Sequence, residues 1–415
     1  MTTMIELGKR AKEASVELGK LSAEVKNIAL QAMADALEKN EDEIVSANLR
    51  DVAAVKSKGV KPALLDRLIL DNSRITKMAR SLREIATLPD PIGQIVKTWT
   101  RPNGLIIGQI RVPLGVIGMI YESRPDVTSD ASGICLKSGN AVILRGGSDA
   151  INSNTVLAEV LNEAAVKAGA PKAAIQVVRT TDREAVNELM RMRRYVDVLI
   201  PRGGLDLIKS VVENSRVPVI ETGIGNCHIY VEEDADLQEA IPIILNAKCQ
   251  RPGTCNAVEK LLVNQNIAEI FIPTIVRSLR ESDVEVRGCS QTVKLVRDIA
   301  LISDEEWYKE YLDLVISIKI VSDLGEAIKH INQYGSHHTD AILTRDFSKA
   351  LRFIKEIDSA AVNWNASTRF TDGNQYGLGA EIGISTQKIH ARGPMSIEHL
   401  TTMKYFVLGR GHLRQ

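Results

Sequence analysis

Two cysteines six positions apart, Cys249 and Cys255, bracket a proline–glycine turn in CQRPGTCNAVEKLLV, residues 249–263. Three chemistries use such a pair: a metal site, a disulfide, or one thiolate nucleophile beside a bystander. Zinc-binding pairs usually sit two to four residues apart and need a second pair at similar spacing. The nearest couple, Cys227 and His228, precedes a strand pattern with no further ligand at close range, so no metal is expected. The 5 cysteines of this 415-residue chain, at 135, 227, 249, 255 and 289, are few and odd in number. Such usage fits a reducing cytoplasm rather than a disulfide framework.

The nucleophile remains. Cys255 follows Pro252, Gly253 and Thr254 and precedes AVEKLLV, a strand pattern, so it sits at a loop-to-strand junction. Cys249 falls on the last turn of an apolar helical stretch, where packing is expected. Lys248 and Arg251 would favour the thiolate, the reactive form. From these residues alone a buried, inert Cys255 stays an alternative.

Two strand-to-helix turns could take phosphate. The run Pro201, Arg202, Gly203, Gly204 lets the backbone approach an anion, and the free amides of a helix start favour negative charge. ILRGGSDA, 143–150, offers the same with Arg145 added. Either alone could be an ordinary turn; together they favour a dinucleotide. Glu221 ends VPVIE, at the carboxyl end of a parallel strand, where such sheets place ligands; a solvated strand end is the alternative. GLGAEIG, 377–383, looks like a glycine-rich fingerprint, but it has one residue too many and follows polar DGNQY, so it reads as a loop.

These residues need elements to hold them. Residues 1–88 read as helices, with apolar residues at three- and four-residue intervals. TLPDPIG, 87–93, breaks that pattern, and GLIIGQIRV, 104–112, reads as one arm of a hairpin. Apolar strands at 115–121, 141–145, 174–178, 196–200 and 217–221 then alternate with helices, the pattern of a parallel, doubly wound sheet. A second such alternation begins near 232 and runs to AAVNWN. TTMKYFVLGRG, 401–411, is a terminal strand whose edge needs a covering partner.

Composition bounds the rest. At 44% hydrophobic and 25% charged residues the chain reads as globular, and its length calls for two or three domains. Lys+Arg and Asp+Glu both number 52, which argues against nucleic-acid or membrane binding but leaves room for a local basic pocket. No apolar run is long enough to span a bilayer, and the charge-studded N-terminus is not a signal peptide. A cytoplasmic protein is expected.

Six stretches, in order, resemble the aldehyde dehydrogenase superfamily. PLGVIGMIYESRP resembles the lead into its active site. AVILRGGS is similar to its adenosine-side strand and turn, at Arg145 and Gly146. IPRGGLDLI resembles its pyrophosphate turn, at Pro201, Gly203 and Gly204. VIETGIGNCHIYVEEDADL is similar to the stretch with its glutamate, at Glu221. CNAVEKLLV begins where its nucleophile stands, at Cys255. EYLDLVISIKI is similar to the stretch whose glutamate holds the nicotinamide ribose, at Glu310.

The resemblance implies an aldehyde-dehydrogenase-like α/β fold: two doubly wound parallel-sheet domains plus a small oligomerisation hairpin and tail. Residues 1–97, 113–231 and 379–400 would bind the dinucleotide, 232–378 would form the catalytic domain, and 98–112 with 401–415 would oligomerise. The departures point to one branch. The usual oxyanion-binding asparagine falls on Ser123, the adenosine-side lysine on Arg145, and Gly253 and Thr254 precede the cysteine. With KCQRPGTCNAVEKLL and VSDLGEAIKHINQYGSHHTDAI these mark the branch that reduces L-glutamyl 5-phosphate for proline biosynthesis, with NADPH as cofactor.

That branch implies covalent catalysis by Cys255 with Ser123 as an oxyanion donor. NASTRFTDGNQYG, 365–377, resembles the loop over the substrate tail, so Ser367 and Thr368 would take the α-carboxylate. Arg124 and Arg251 are candidates for the substrate phosphate; a solvated surface residue is the alternative for each. Glu221, a general base in water-using relatives, is expected to be peripheral here; a non-phosphorylating dehydrogenase using it is the rival reading. A homodimer or homotetramer is expected, and association with glutamate 5-kinase, which makes the labile substrate, is the partner left open.

Overall fold

The computed structural model describes residues 3–59 and 62–414. It divides into two compact units: Met1–Thr222, Gly377–Gly383 and Met395–Gln415 form the first, and Gly223–Tyr376 with Ile384–Pro394 the second. Among the described residues no helix is long and apolar enough to cross a membrane.

The first unit opens with helices, as the apolar spacing requires. Thr3 starts Met4–Leu18 with a capping box, its hydroxyl accepting from Glu6 N while Glu6 accepts from Thr3 N. The parallel sheet places Ile175–Val177, Ala141–Gly146, Val116–Tyr121 and Val198–Arg202 side by side in that order. In chain order this is third, second, first, fourth, so the chain reverses direction of winding beside Val116–Tyr121. Ligands of open α/β sheets bind at the carboxyl ends of strands at such a point. Tyr121 and Arg202 end the two strands that flank it, and they are paired in register.

Two helices of this unit begin on a carboxylate lent from elsewhere. Ile151–Lys167 has Ala150 at its cap, which offers no side-chain acceptor; buried Asp51 instead accepts from Asn152 N and Ser153 N, at 3.2 and 2.8 Å. Leu205–Asn214 has Gly204 at its cap, and Glu122 supplies the missing acceptor.

The expected fifth strand, 217–221, pairs with this sheet only through a bridge from Val219 to Leu199. Pro218 lacks an amide proton, so the ladder cannot continue through it. The sheet therefore has four strands.

The second unit holds seven parallel strands, ordered Ala300–Leu301, Glu285–Gly288, Val315–Val321, Val258–Asn264, Cys227–Val231, Thr339–Leu343, Ala361–Trp364. Strand residues alternate between two cores. Ile229, Val231, Leu261 and Val263 face Leu237–Cys249 and Gln265–Glu281. Tyr230, Leu262 and Ile342 face Leu324–Tyr334 and Phe347–Glu356. Helices on both faces make it doubly wound.

The strand expected just after Cys227 and His228 begins on them instead, as Cys227–Val231, a start that was not foreseen. It hydrogen-bonds to both Val258–Asn264 and Thr339–Leu343, so the compact units part at 222/223 rather than at 231/232. Glu285–Gly288 and the short helix Ser290–Leu295 were also unforeseen. The hairpin and tail form one antiparallel sheet, Ile95–Thr100, Ile106–Pro113 and Thr401–Leu408, with the tail strand at one edge. GLGAEIG is a loop up to Ile382.

Candidate active site

Cys255 stands where residues 254–257 turn into Val258–Asn264; Ala257 N closes the turn on Thr254 O at 3.1 Å. It is half-buried. Its backbone is held from the neighbouring strand. The Cys227 thiol donates to Cys255 O at 3.1 Å, and burial holds that thiol well above its ordinary pKa, in the protonated form that can donate. Gly225, just before Cys227–Val231, packs directly on the same peptide: a Cβ there would lie 1.4 Å from Cys255 O. No other residue fits at 225.

Glu310 reaches the same place from the loop before Val315–Val321, accepting from Gly225 N at 2.7 Å. The amino ends of two adjacent parallel strands thus gather a thiol, a carboxylate and a fixed peptide.

Arg369 completes the cluster and was overlooked. Its Nε donates to Gln250 Oε1 at 2.7 Å and its Nη1 to Asn256 Oδ1. Asn256 in turn donates to Thr371 O at 2.9 Å, tying the 367–371 turn to the residue after Cys255. Burial lowers the Arg369 pKa, while Asp372 and the Cys255 thiol act in the opposite direction and exposed Arg251 adds to the lowering. The stretch 365–377 was singled out for its hydroxyls, and the cation beside them was passed over.

Those hydroxyls are less open than expected. Ser367 Oγ accepts from Arg369 N at 3.3 Å, capping its own 3-10 turn. Thr368 is fully buried, and its Oγ1 has no hydrogen-bond partner among the described residues.

The first unit carries the other candidates. Ser123 adopts φ +40°, a strained conformation for a non-glycine residue, at the carboxyl end of Val116–Tyr121. Its hydroxyl points to Asp149 Oδ2 at 3.4 Å. Arg124 is half-buried, one residue further on, and its carbonyl accepts from Val127 N. Glu221 is half-buried at the end of the 217–221 segment.

Arg145 is not the open cation its position suggested. It is 7% exposed, and its guanidinium donates to Gly146 O at 2.6 Å, Thr181 O at 3.2 Å and Asp182 O at 3.1 Å. Burial lowers its pKa, Asp182 opposes that and Arg183 adds to it. It shapes the 179–183 turn, which carries Arg179 and Arg183. Gly146 is likewise packed by Asn154 rather than open.

The resemblance to aldehyde dehydrogenases implies a nicotinamide dinucleotide as cofactor, and two observations fit it. The Gly204 amide already holds an oxyanion: Glu122 Oε2 accepts from it at 2.9 Å, and a Cβ at Gly203 would lie 2.5 Å from that oxygen. The turn expected to be free thus already has its amide bound by an internal carboxylate. Pro201 O, in the same turn, accepts from Thr222 Oγ1 at 2.9 Å. Glu310, a carboxylate of the kind that accepts from a ribose diol, is the second. Among the described residues no group of three or more His, Cys, Asp and Glu could hold a metal.

This chain belongs to the aldehyde dehydrogenase family, whose profile matches residues 3–293. Within that family the chain is similar, over its full length, to proteins that carry one name. Gamma-glutamyl phosphate reductase of Carboxydothermus hydrogenoformans is 55% identical over 414 residues, 100% of both chains. The protein of the same name from Caldanaerobacter subterraneus is 56% identical over 98% of each. The crystal structure of gamma-glutamyl phosphate reductase from Thermotoga maritima is similar with a TM-score of 0.96 and 48% identity, covering 99% of this chain and 100% of that one.

Proposed function

We propose that this chain reduces L-glutamyl 5-phosphate to L-glutamate 5-semialdehyde and releases inorganic phosphate, the step its relatives' name describes. One observation carries the reading: 55% identity, over the whole of both chains, to a protein bearing that name.

The local chemistry supports it. Cys255 thiolate attacks the acyl carbon, forms a thioester and expels phosphate, a good leaving group that needs little acid assistance. Dividing the displacement this way replaces one hard step with two easier ones. The developing oxyanion needs donors, each contributing about 3 kcal/mol. The Cys255 amide is one; Ser123 serves as a second once its hydroxyl leaves Asp149. A reduced nicotinamide, when bound, supplies the hydride. As the acyl carbon reaches the aldehyde level, Cys255 leaves as thiolate, ready for another turnover. Glu310 receives the nicotinamide ribose, and Pro201, Gly203, Gly204 and Gly146 line the turns for the remaining phosphates and sugar. Binding at Gly204 requires Glu122 to swing aside.

NADPH is favoured over NADH by the guanidinium-rich 179–183 turn and Arg145 behind it. Arg369 and Arg251 beside the nucleophile, with Arg124, suit the substrate's phosphate and carboxylate, and Thr368 offers an unmatched hydroxyl. Glu221 takes no part in activating water, because a free base there would hydrolyse the thioester. The hairpin and tail sheet assembles a homodimer or homotetramer, and the labile acyl phosphate favours association with glutamate 5-kinase.

The test runs the reaction backwards. Semialdehyde and NADP+ should turn over only with inorganic phosphate present, and Cys255→Ser should lower the rate on the order of a thousandfold or more. Glu221→Gln should change it by less than about threefold. Phosphate-independent oxidation that collapses in Glu221→Gln would instead establish the water-using dehydrogenase.

A further inference from the structure

Three charged side chains of the second unit, Lys248, Glu259 and Lys260, are fully buried. Burying charge is costly, and apolar residues of similar size often serve packing as well or better. Their partners show what they do instead. Lys248 Nζ pairs with Glu259 Oε2 at 3.1 Å and donates to Asp313 O at 3.1 Å. Glu259 Oε1 accepts from Leu312 N at 3.2 Å. Lys260 Nζ donates to Lys309 O at 2.7 Å and lies 4.1 Å from the centre of the Tyr311 ring. Each of these hydrogen bonds, and the ring contact, goes to one loop, 309–313.

That loop is strained. Leu312 adopts φ +53°, left-handed backbone that a side chain as large as leucine's rarely enters. Such conformations persist only where the surroundings over-determine them, and they gather at functional sites. The loop carries Glu310, whose carboxylate accepts from Gly225 N at 2.7 Å, and Gly225 is the residue that packs on the Cys255 peptide.

We propose that Lys248, Glu259 and Lys260 are positioning residues, a buried clamp that holds 309–313 in its strained form so that Glu310 is presented to the nicotinamide ribose. The proposal rests on the nicotinamide-dependent reading above and extends it to residues that touch neither substrate nor cofactor. Burial pushes Glu259 up to about 7 and Lys260 down to about 7, against the pull of their opposite charges.

Two ligands separate positioning from general stability. NADPH carries the nicotinamide ribose, and adenosine 2′,5′-bisphosphate lacks it. Glu259→Gln and Lys260→Met should each weaken NADPH binding roughly tenfold, the worth of a charged hydrogen bond. Adenosine 2′,5′-bisphosphate should bind within about twofold of wild type, because its contacts lie elsewhere. Glu310→Gln should reproduce the selective loss, and combining it with either clamp variant should add nothing further. Additive losses, equal losses for both ligands, or no effect of Glu310→Gln would overturn the clamp. If the buried-charge variants fail to fold, Tyr311→Leu decides: it leaves both charges with their backbone partners and should cost about threefold in NADPH affinity alone. No loss there overturns the proposal. A wild-type chain that binds NADPH but shows no phosphate-dependent turnover would sink the proposed reaction while leaving the clamp standing.

Discussion

Gly225 sets how closely two strand ends can approach at the nucleophile. Adding one methyl at 225 would place carbon 1.4 Å from Cys255 O, far inside van der Waals contact, and backbone atoms cannot rotate away as a side-chain tip can. Gly225→Ala should therefore shift the 254–257 turn and lower turnover by about a hundredfold or more, the cost of misplacing a reacting group by an ångström. Iodoacetamide labelling of Cys255 should change rate in the same variant; unaltered labelling and turnover together would refute the constraint. At this scale much was readable in advance. A cysteine after a proline–glycine turn and before an apolar run announces its own junction. Arg369 was not readable, because it reaches Cys255's neighbour across more than a hundred residues of chain through Asn256. Arg145 was readable as a cation at a strand end. That residues 181 and 182 fold back to take its donors follows from tertiary structure alone.

Elements decide which of these side chains share a place. The site of the second unit lies at the amino ends of Cys227–Val231 and Val258–Asn264, paired in parallel from Cys227 opposite Val258. Cys227 and His228 read as the residues before a strand, whereas the ladder already begins on them. VPVIE read as a strand on its apolar content, although Pro218 denies it a ladder. The loop to Glu310 is backed by an aromatic group: Trp307, in the 3-10 turn Asp304–Tyr308, meets His330 edge-on at 5.0 Å, and His330 also packs on Tyr334 and His228. His330 is 3% exposed, and burial, helped by His228 and Lys319, pushes its pKa down to about 2. The unfolded chain binds a proton at this residue near pH 6.5 and the folded one does not, so folding loses stability as pH falls below 6.5. The slope from this residue is roughly 1.4 kcal/mol per pH unit, down to its folded pKa of about 2. His330→Phe should flatten the acid side of a stability–pH curve measured by urea unfolding between pH 6.5 and 5. A variant curve parallel to wild type would mean that His330 takes up its proton without unfolding.

At the scale of the whole molecule, the unresolved demand is the three-stranded antiparallel sheet. The tail strand Thr401–Leu408 was foreseen as an edge in need of cover, and it lies at the edge, pairing on one side only with Ile106–Pro113. Alternation assigns its two faces. Phe406 is spent on Gly108 of the neighbouring strand, whereas Tyr405 and Val407 point the other way and are 62% and 58% exposed. Trp99 meets Tyr405 edge-on at 6.3 Å, and Ile95 and Leu408 are 59% and 56% exposed on the same small sheet. An open edge with this much exposed apolar surface invites strand pairing or stacking with another copy. Burying a side chain of this size contributes roughly 1.5–3 kcal/mol, so two such losses exceed what a dimer of ordinary affinity can absorb. Tyr405→Asp combined with Val407→Asp should therefore convert the assembly to monomers in sedimentation velocity at micromolar concentration. The helix content of the chain should be unchanged, because neither residue contributes to a core. The wild-type chain sedimenting as a monomer would remove the sheet's proposed role, and persistence of the dimer or tetramer in the double variant would move the interface elsewhere.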